Sequence, residues 1–151
     1  MKRAKGEHSN FFIRTYRGFM NRNSPRFGYK NLIQVVVGAT ILAIPVAFTE
    51  ETWRLGESLP LLNIIGLFLL SIVFISLFTY RNYRKRKIPF FIDDFFIRII
   101  GTYVFAFLTV AIVMLLIQRA PFSTDFILAI NRIVVVTFPA SMSAAIADTI
   151  I

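Results

Sequence analysis

The sequence contains no cysteine and only one histidine, His8. Disulfides, thiolate metal sites and cysteine nucleophiles are therefore excluded, although the lack of cysteine says nothing about the redox compartment. His8 lies in a basic segment, where a solvated side chain is a simpler interpretation than a metal ligand. Acidic residues are also scarce: the chain has 8 Asp and Glu against 17 Lys and Arg, which gives a net charge of +9.

Motifs of enzyme active sites are missing as well. The chain has no H-E-x-x-H or G-x-S-x-G motif, no glycine-rich phosphate loop and no dinucleotide-binding fingerprint. Its paired carboxylates have no neighbouring His or Lys that could act as a base. The sequence therefore predicts a protein that is not an enzyme and has no cofactor, apart from a bound Ca²⁺ or other cation that the carboxylates could hold.

Hydrophobic residues, in contrast, make up 56% of the chain, against roughly 45–50% in soluble domains. They form four continuous stretches, and a membrane span needs about 20 helical residues. The stretches run over about 31–49, 59–80, 99–117 and 126–147. Because they are continuously apolar rather than alternating, they do not fit a β-barrel. We predict an all-α membrane protein with a four-helix transmembrane domain over 31–151, preceded by a basic tail over 1–30 that contains an interfacial helix.

The positive charges predict how these helices are oriented. Eight Lys and Arg lie in the tail and five in the connection over 81–87, whereas the other two connections contain only Arg54 and Arg119. The positive-inside rule then places the tail and the 81–87 connection in the cytoplasm, with both termini on that side. We predict a multi-pass protein of the plasma membrane whose basic segments bind anionic lipid headgroups and not nucleic acid.

The clearest candidate site is the pair Glu50 and Glu51, which the apolar pattern places at the outer end of the first helix. The helix dipole disfavours carboxylates at a C-terminus, so a bound cation would offset the repulsion, and carboxylate oxygens suit Ca²⁺. Helical steps back from Glu50 give a row of small apolar residues and then basic ones. The row contains Val46, Ala47, Ala43, Ala39 and Val36, followed by Lys30, Arg26 and Arg22. Around a symmetry axis, this helix would form an acidic ring, an apolar constriction and a basic vestibule.

The same residues also fit a purely structural role. The three alanines of the row are typical of an ordinary helix-packing face in a membrane protein. Glu50 and Glu51 could be solvated, with Arg54 as an ion-pair partner at four-residue spacing. The sequence leaves the pore and the packing interpretations open.

Carboxylates at the cytoplasmic ends of two helices form a second group of candidate sites. Asp93 and Asp94 lie at the start of the third helix, where they fit dipole capping, with Arg98 as a partner for Asp94 one turn on. A cytoplasmic cation site is the alternative for this pair. Asp148 ends the last helix, which is again the end that the dipole disfavours for a carboxylate.

Arg132 is the third candidate, because it lies one turn or more into the fourth helix. A charged side chain within a membrane helix is costly, so it should extend toward the interface or meet an acid. Asp125, Glu57 and the pair at 50–51 are all on the outer side and are candidate partners. A structural salt bridge and a contact to an anion or substrate both remain open.

Two segments resemble known membrane proteins. The segment from Pro45 to Gly56, with the sequence PVAFTEETWRLG, resembles the first-helix segment of a prokaryotic family of integral membrane proteins of unknown function, and the run from Phe138 to Asp148 fits the same pattern. The layout is also similar to that of Orai calcium channels, whose first helix lines a hexameric pore with an outer glutamate, an apolar stretch and inner basic residues. This resemblance implies a calcium pore, although the doubled glutamate and Pro25 depart from the pattern.

From these features we expect a homo-oligomeric cation channel, a pentamer or hexamer with calcium among the candidate ions. The first helix would line the pore, and Glu50 and Glu51 would form the outer selectivity ring. One alternative is a small dimeric secondary transporter with a site near Asn63, Arg132 or the kink at Pro45. The other is a non-transporting membrane adaptor. Oligomeric state separates them, because a ring of five or six copies favours the channel and a dimer disfavours it.

Overall fold

The computed structural model describes residues 28–86 and 92–150, which form five helices. These are α1 (Tyr29–Ala47), α2 (Glu50–Ser58), α3 (Leu61–Arg86), α4 (Ile92–Leu116) and α5 (Phe126–Ile150). All except α2 are long and apolar enough to cross a membrane. The prediction of an all-α protein with four spans is therefore confirmed. The interfacial helix predicted in the tail lies outside the described residues, and so do Arg22 and Arg26 of the predicted basic vestibule. The orientation and the oligomeric state stay predictions.

α5 is the central helix of the bundle. It packs against each of the other four helices, whereas α1 and α3 do not contact one another in the described part of the chain. Ile133, Val136 and Ala140 of α5 belong to a core cluster shared with α1 and α4. Val134 and Val135 pack with Ile64 of α3 in a separate cluster. A charged residue on α5 can therefore meet a partner from several helices.

α1 and α5 approach closely because their facing residues are small. Ala39, Ala43 and Ala47 are fully buried, and they share a core cluster with alanines of α5. A Cβ atom built on Gly38 would lie only 2.5 Å from the Cβ of Ala147. Small residues let two membrane helices pack backbone against backbone. For these three alanines the fold favours helix packing over pore lining, because their side chains leave no surface for a neighbouring copy.

The first helix ends before the two glutamates. α1 stops at Ala47 and α2 begins at Glu50, after Thr49 in an extended conformation. The indole N–H of Trp53 donates a hydrogen bond to the Ala47 carbonyl at 2.7 Å, which satisfies a carbonyl that the helix end leaves open. The prediction that Glu50 and Glu51 lie at a helix C-terminus is therefore wrong. They lie in the first turn of α2, where the dipole favours carboxylates.

The helices on the predicted cytoplasmic side are longer than their apolar stretches. α3 continues to Arg86 and has 26 residues, which corresponds to about 39 Å of helix, more than the roughly 30 Å of a bilayer core. α4 begins at Ile92, before the apolar stretch that starts at Ile99, and includes Asp93 and Asp94 in its first turn. α3 and α4 are therefore longer than their apolar stretches, and their charged residues lie in the added turns.

Candidate functional site

The first charged cluster joins the start of α1, the start of α4 and the end of α5. The Arg98 guanidinium contacts Asp148 Oδ2 through Nε at 2.8 Å and through Nη2 at 2.6 Å. Asn31 Nδ2 donates to the other oxygen, Oδ1, at 2.9 Å. Only 6% of the Arg98 side chain and 5% of the Asp148 side chain are exposed. We call Arg98 and Asp148 the inner ion pair, following the orientation that the loop charges predict.

The inner ion pair changes the predicted partner of Arg98 and gives Asp148 the positive charge that its position at a helix end requires. Arg98 pairs with Asp148 and not with Asp94, because Arg98 lies on the buried face of α4, where it meets the end of α5. The carboxylate that the α5 dipole disfavours thus obtains a full positive charge and an amide donor. The sequence did not predict the contact of Asn31 with Asp148. The feature that could have indicated it is an amide side chain at the edge of an apolar stretch.

The second charged cluster lies at the opposite end of α5. Arg132 Nη2 contacts Glu57 Oε1 of α2 at 2.5 Å, and Arg132 Nη1 donates to the Arg119 carbonyl at 2.9 Å. The Arg132 side chain is 13% exposed, whereas the Glu57 side chain is 53% exposed. Glu57 was one of the candidate partners, and the structure selects it over Asp125 and Glu50. We call Arg132 and Glu57 the outer ion pair.

A tight turn after α4 builds the surroundings of the outer ion pair. Gln118 has a positive φ of 57°, and Arg119 N donates to the Met114 carbonyl at 3.0 Å, as in a Schellman helix end. This turn aims the Arg119 carbonyl at Arg132. It also places the Arg119 guanidinium 3.8 Å from the ring centroid of Trp53, in a cation–π contact. Arg119 therefore contacts Arg132 through its carbonyl, while its guanidinium lies on Trp53.

The two ion pairs lie near opposite ends of one helix. Arg132 and Asp148 are 16 positions apart along α5, which corresponds to about 24 Å. Between them the buried face of α5 is made of small and branched apolar residues with two hydroxyls. These residues are Ile133, Val136, Thr137, Ala140, Ser141 and Ala144. The arrangement is an apolar packing face with a charged contact at each end.

The remaining predicted residues lie apart from these clusters. Glu50 makes an exposed ion pair with Arg54 at 2.9 Å, as the structural interpretation of the sequence expected. Glu51, Lys30 and Asp93 are exposed, whereas Val36, Val46 and Asp94 are half-buried. No group of three His, Cys, Asp or Glu that could hold a metal ion occurs in the part of the chain that the structure describes. A cation site at Glu50 and Glu51 would therefore need carboxylates from other copies.

Comparison with known proteins adds a family to this architecture. A family model described as “Putative integral membrane protein (DUF2391)” matches residues 8–151. The chain belongs to this family. The match covers all five described helices and both ion pairs, so the family description and the four apolar spans agree on an integral membrane protein. No curated protein and no solved structure matches the chain.

Membership of this family is consistent with the resemblance noted in the segment from Pro45 to Gly56. That segment includes the break between α1 and α2 and most of α2 itself. It ends at Gly56, where an added Cβ atom would lie 2.5 Å from Arg132 Cγ. The resemblance therefore falls on the part of the chain that packs over the outer ion pair.

Proposed function

We propose that this member of the DUF2391 family is a small secondary transporter that works as a homodimer. The observation that supports the proposal is the ion pair near each end of the central helix α5. Ionisable residues within membrane helices are costly, and they often mark the path of a transported solute. Ion pairs that break in turn would open one end of the bundle while the other end stays closed.

The contact between α1 and α5 suits such a movement. Gly38 faces Ala147, and the buried alanines of α1 pack against a face of α5 that is also rich in alanine. A small, smooth contact allows one helix to shift against the other without moving large side chains out of deep holes. Pro45 in α1 and Pro139 in α5 each remove one backbone hydrogen bond, so both helices can bend.

α2 has the properties of an outer gate. It has only nine residues, and the residues on either side of it, Thr49 and Leu59, are in extended conformations. Its buried residues, Thr52 and Gly56, face the body of the protein, and Glu57 holds it to α5 through Arg132. Breaking the outer ion pair would release α2 from its main charged contact.

We propose a dimer because one chain has only four spans among the described residues and leaves an apolar surface uncovered. α3 leaves large apolar side chains uncovered along its length, among them Leu61, Leu69, Val73 and Leu77. Lipid or another copy would cover this surface in a membrane. The transporter proposal expects a dimer in nanodiscs by mass photometry or native mass spectrometry, and a ring of five or six copies would contradict it.

The cation channel keeps one supporting observation. Glu50 and Glu51 are exposed at the predicted outer end, where several copies could bring carboxylates together. The face of α1 left for such an axis is the exposed one, with Ile33, Val37 and Ile41, and not the alanine row. Cation flux in liposomes decides this candidate, because Glu50→Gln and Glu51→Gln variants with unchanged permeation and selectivity would contradict a glutamate ring.

We also propose that the basic end of α3 binds anionic lipid on the cytoplasmic side of the plasma membrane. Arg81 and Arg84 are exposed there, and the helix extends beyond the length that the bilayer core needs. Each cationic side chain near an anionic surface contributes about 1 kcal/mol. Native mass spectrometry should show less retained phosphatidylglycerol in an Arg81→Gln, Arg84→Gln variant, and equal retention would contradict this contact.

Transport in proteoliposomes tests the main proposal. Labelled small anions and cations are screened for uptake that saturates with concentration and is accelerated by the same solute on the opposite side. We expect the Glu57→Gln variant to lose most of this counterflow, because the outer gate no longer closes, whereas Glu50→Gln on the same helix keeps it. Flux that stays proportional to concentration, with no counterflow, would contradict a transporter and favour a channel.

A further inference from the structure

The arginines of the two ion pairs differ in how many of their N–H groups contact an acceptor. In the inner ion pair, both Nε and Nη2 of Arg98 contact Asp148. In the outer ion pair, Nη2 of Arg132 contacts Glu57, but the buried Nε has no hydrogen-bond partner in the described structure. A buried donor without a partner is costly, particularly on a charged group. The outer ion pair therefore leaves Nε of Arg132 unused, whereas the inner ion pair uses both Nε and Nη2 of Arg98.

The unused Nε–H of Arg132 lies on the edge of the guanidinium that commonly binds carboxylates. Nε–H and Nη2–H of a guanidinium point in the same direction, and together they match the two oxygens of a carboxylate. Glu57 contacts this edge of Arg132 through a single oxygen, Oε1. A free carboxylate has no backbone to restrict its approach, so it can meet both donors at once.

The surroundings favour an anion over a cation. The Arg119 guanidinium lies on the Trp53 ring close to the same end of α5, and its main chain already accepts a hydrogen bond from Arg132. Among the described residues, Glu57 is the carboxylate that forms an ion pair with Arg132, so its departure leaves this charge without an acidic partner. Glu57 is more than half exposed and lies on the short helix α2, so it can leave without unpacking the core.

We propose that the outer ion pair is a binding site for a small carboxylate, which displaces Glu57 from Arg132 and engages both Nε and Nη2. Gly56 of α2 lies against Arg132, so the backbone of α2 borders the site that the entering anion would occupy. Glu57 thus acts as an internal competitor that occupies the site when no solute is bound. This inference rests on the proposed transporter for its purpose, because it names the class of solute, but the binding itself does not require transport.

The sole tryptophan of the chain, Trp53, reports on this site. The test follows its fluorescence in purified full-length protein in nanodiscs during titration with sodium acetate, with sodium chloride at equal ionic strength as the reference. We expect a saturable change with acetate that chloride does not reproduce. We expect acetate to bind the Glu57→Gln variant about fivefold more tightly, because the competing exposed ion pair is gone.

Two further variants distinguish recognition by the paired donors of Arg132 from simple attraction to a positive charge. Arg132→Lys keeps the positive charge but loses the paired donors, so acetate binding should weaken to the level of chloride. Glu50→Gln, on the same helix in the exposed pair with Arg54, should bind acetate like the parent protein. Equal acetate affinity of the parent and Glu57→Gln proteins would overturn the proposal, and so would an equal response to acetate and chloride.

The outcome is independent of the transport assay. Saturable acetate binding that depends on Glu57 and Arg132, without counterflow, would support this site and contradict the proposed transporter. Counterflow of a solute that acetate does not inhibit would support the transporter and contradict a carboxylate site at Arg132. Thermal unfolding of the same samples provides a second readout, because a ligand that binds only the folded protein raises its melting temperature.

Discussion

Arg98 and Arg132 show what burial demands of a charged side chain in a membrane protein. Each is largely buried, and each has found a carboxylate from another helix. The need for a partner can be predicted from the sequence, because an uncompensated charge in an apolar helix is costly. For Arg132 the candidates could be narrowed to the outer acids, and Glu57 was among them. For Arg98 the partner lies 50 positions away on α5, and no local spacing indicates it.

The inner ion pair should be worth far more to stability than the exposed pair of α2. Asp148→Asn leaves the buried Arg98 charge without an acidic partner, and breaking a buried pair in this way costs about 3–5 kcal/mol. Glu50→Gln removes one member of an exposed pair with Arg54, and we expect a loss below about 1 kcal/mol. Equilibrium unfolding in mixed detergent micelles measures both changes. Similar losses in the two variants would show that the inner ion pair is not the main charged contact of the bundle.

At the scale of helices, the spans follow from length and apolar continuity, but their ends do not. The break between α1 and α2 falls at Phe48 and Thr49, within a run that stays apolar and includes no glycine or proline after Pro45. Trp53 stabilises this break by a hydrogen bond to the Ala47 carbonyl, and no sequence pattern predicts that contact. The error about Glu50 and Glu51 follows from this, since the same carboxylates are disfavoured at one helix end and favoured at the other.

Helix packing gives a prediction with a control in the same protein. Gly38→Ala places a Cβ atom within 2.5 Å of Ala147 Cβ and 2.9 Å of the Ser143 carbonyl oxygen, so α1 and α5 must separate. We expect a loss of about 1–3 kcal/mol in the free energy of unfolding. Gly66→Ala on α3 meets no atom within 4 Å and should be neutral or stabilising by up to about 1 kcal/mol. A Gly38→Ala variant as stable as Gly66→Ala would contradict the close contact.

At the scale of the whole molecule, the orientation depends on loop charges alone. The contacts among Asn31, Arg98 and Asp148 show that the start of α1 and the end of α5 lie at one end of the bundle. A helix bundle packs in the same way in either membrane orientation, so the direction comes from the charges of the loops. The positive-inside rule predicts that the inner ion pair lies at the cytoplasmic end.

Cysteine labelling tests this orientation cleanly, because the natural chain has no cysteine. In intact cells, a membrane-impermeant maleimide should label an Arg54→Cys variant, which lies on the exposed surface of α2. An Arg84→Cys variant, at the basic end of α3, should react only after the membrane is permeabilised. Labelling in the opposite pattern would show the reverse membrane orientation, with the outer ion pair on the cytoplasmic side.

In the proposed transport cycle, one end of the bundle opens while the ion pair at the other end of α5 stays intact. Distances between spin labels in nanodiscs measure this directly, with labelled protein diluted in unlabelled copies so that only distances within one chain are seen. An outer label pair at Leu55→Cys and Leu116→Cys and an inner pair at Tyr29→Cys and Ile92→Cys use positions that are exposed in the structure.

We expect opposite responses at the two ends of the bundle. Glu57→Gln should add a longer distance to the outer label pair and leave the inner pair unchanged, because only the outer ion pair is lost. Asp148→Asn should lengthen the inner distance and leave the outer one short. A single, unchanged distance for both label pairs in all three proteins would contradict this movement, because the ion pairs would then be static links of a rigid bundle.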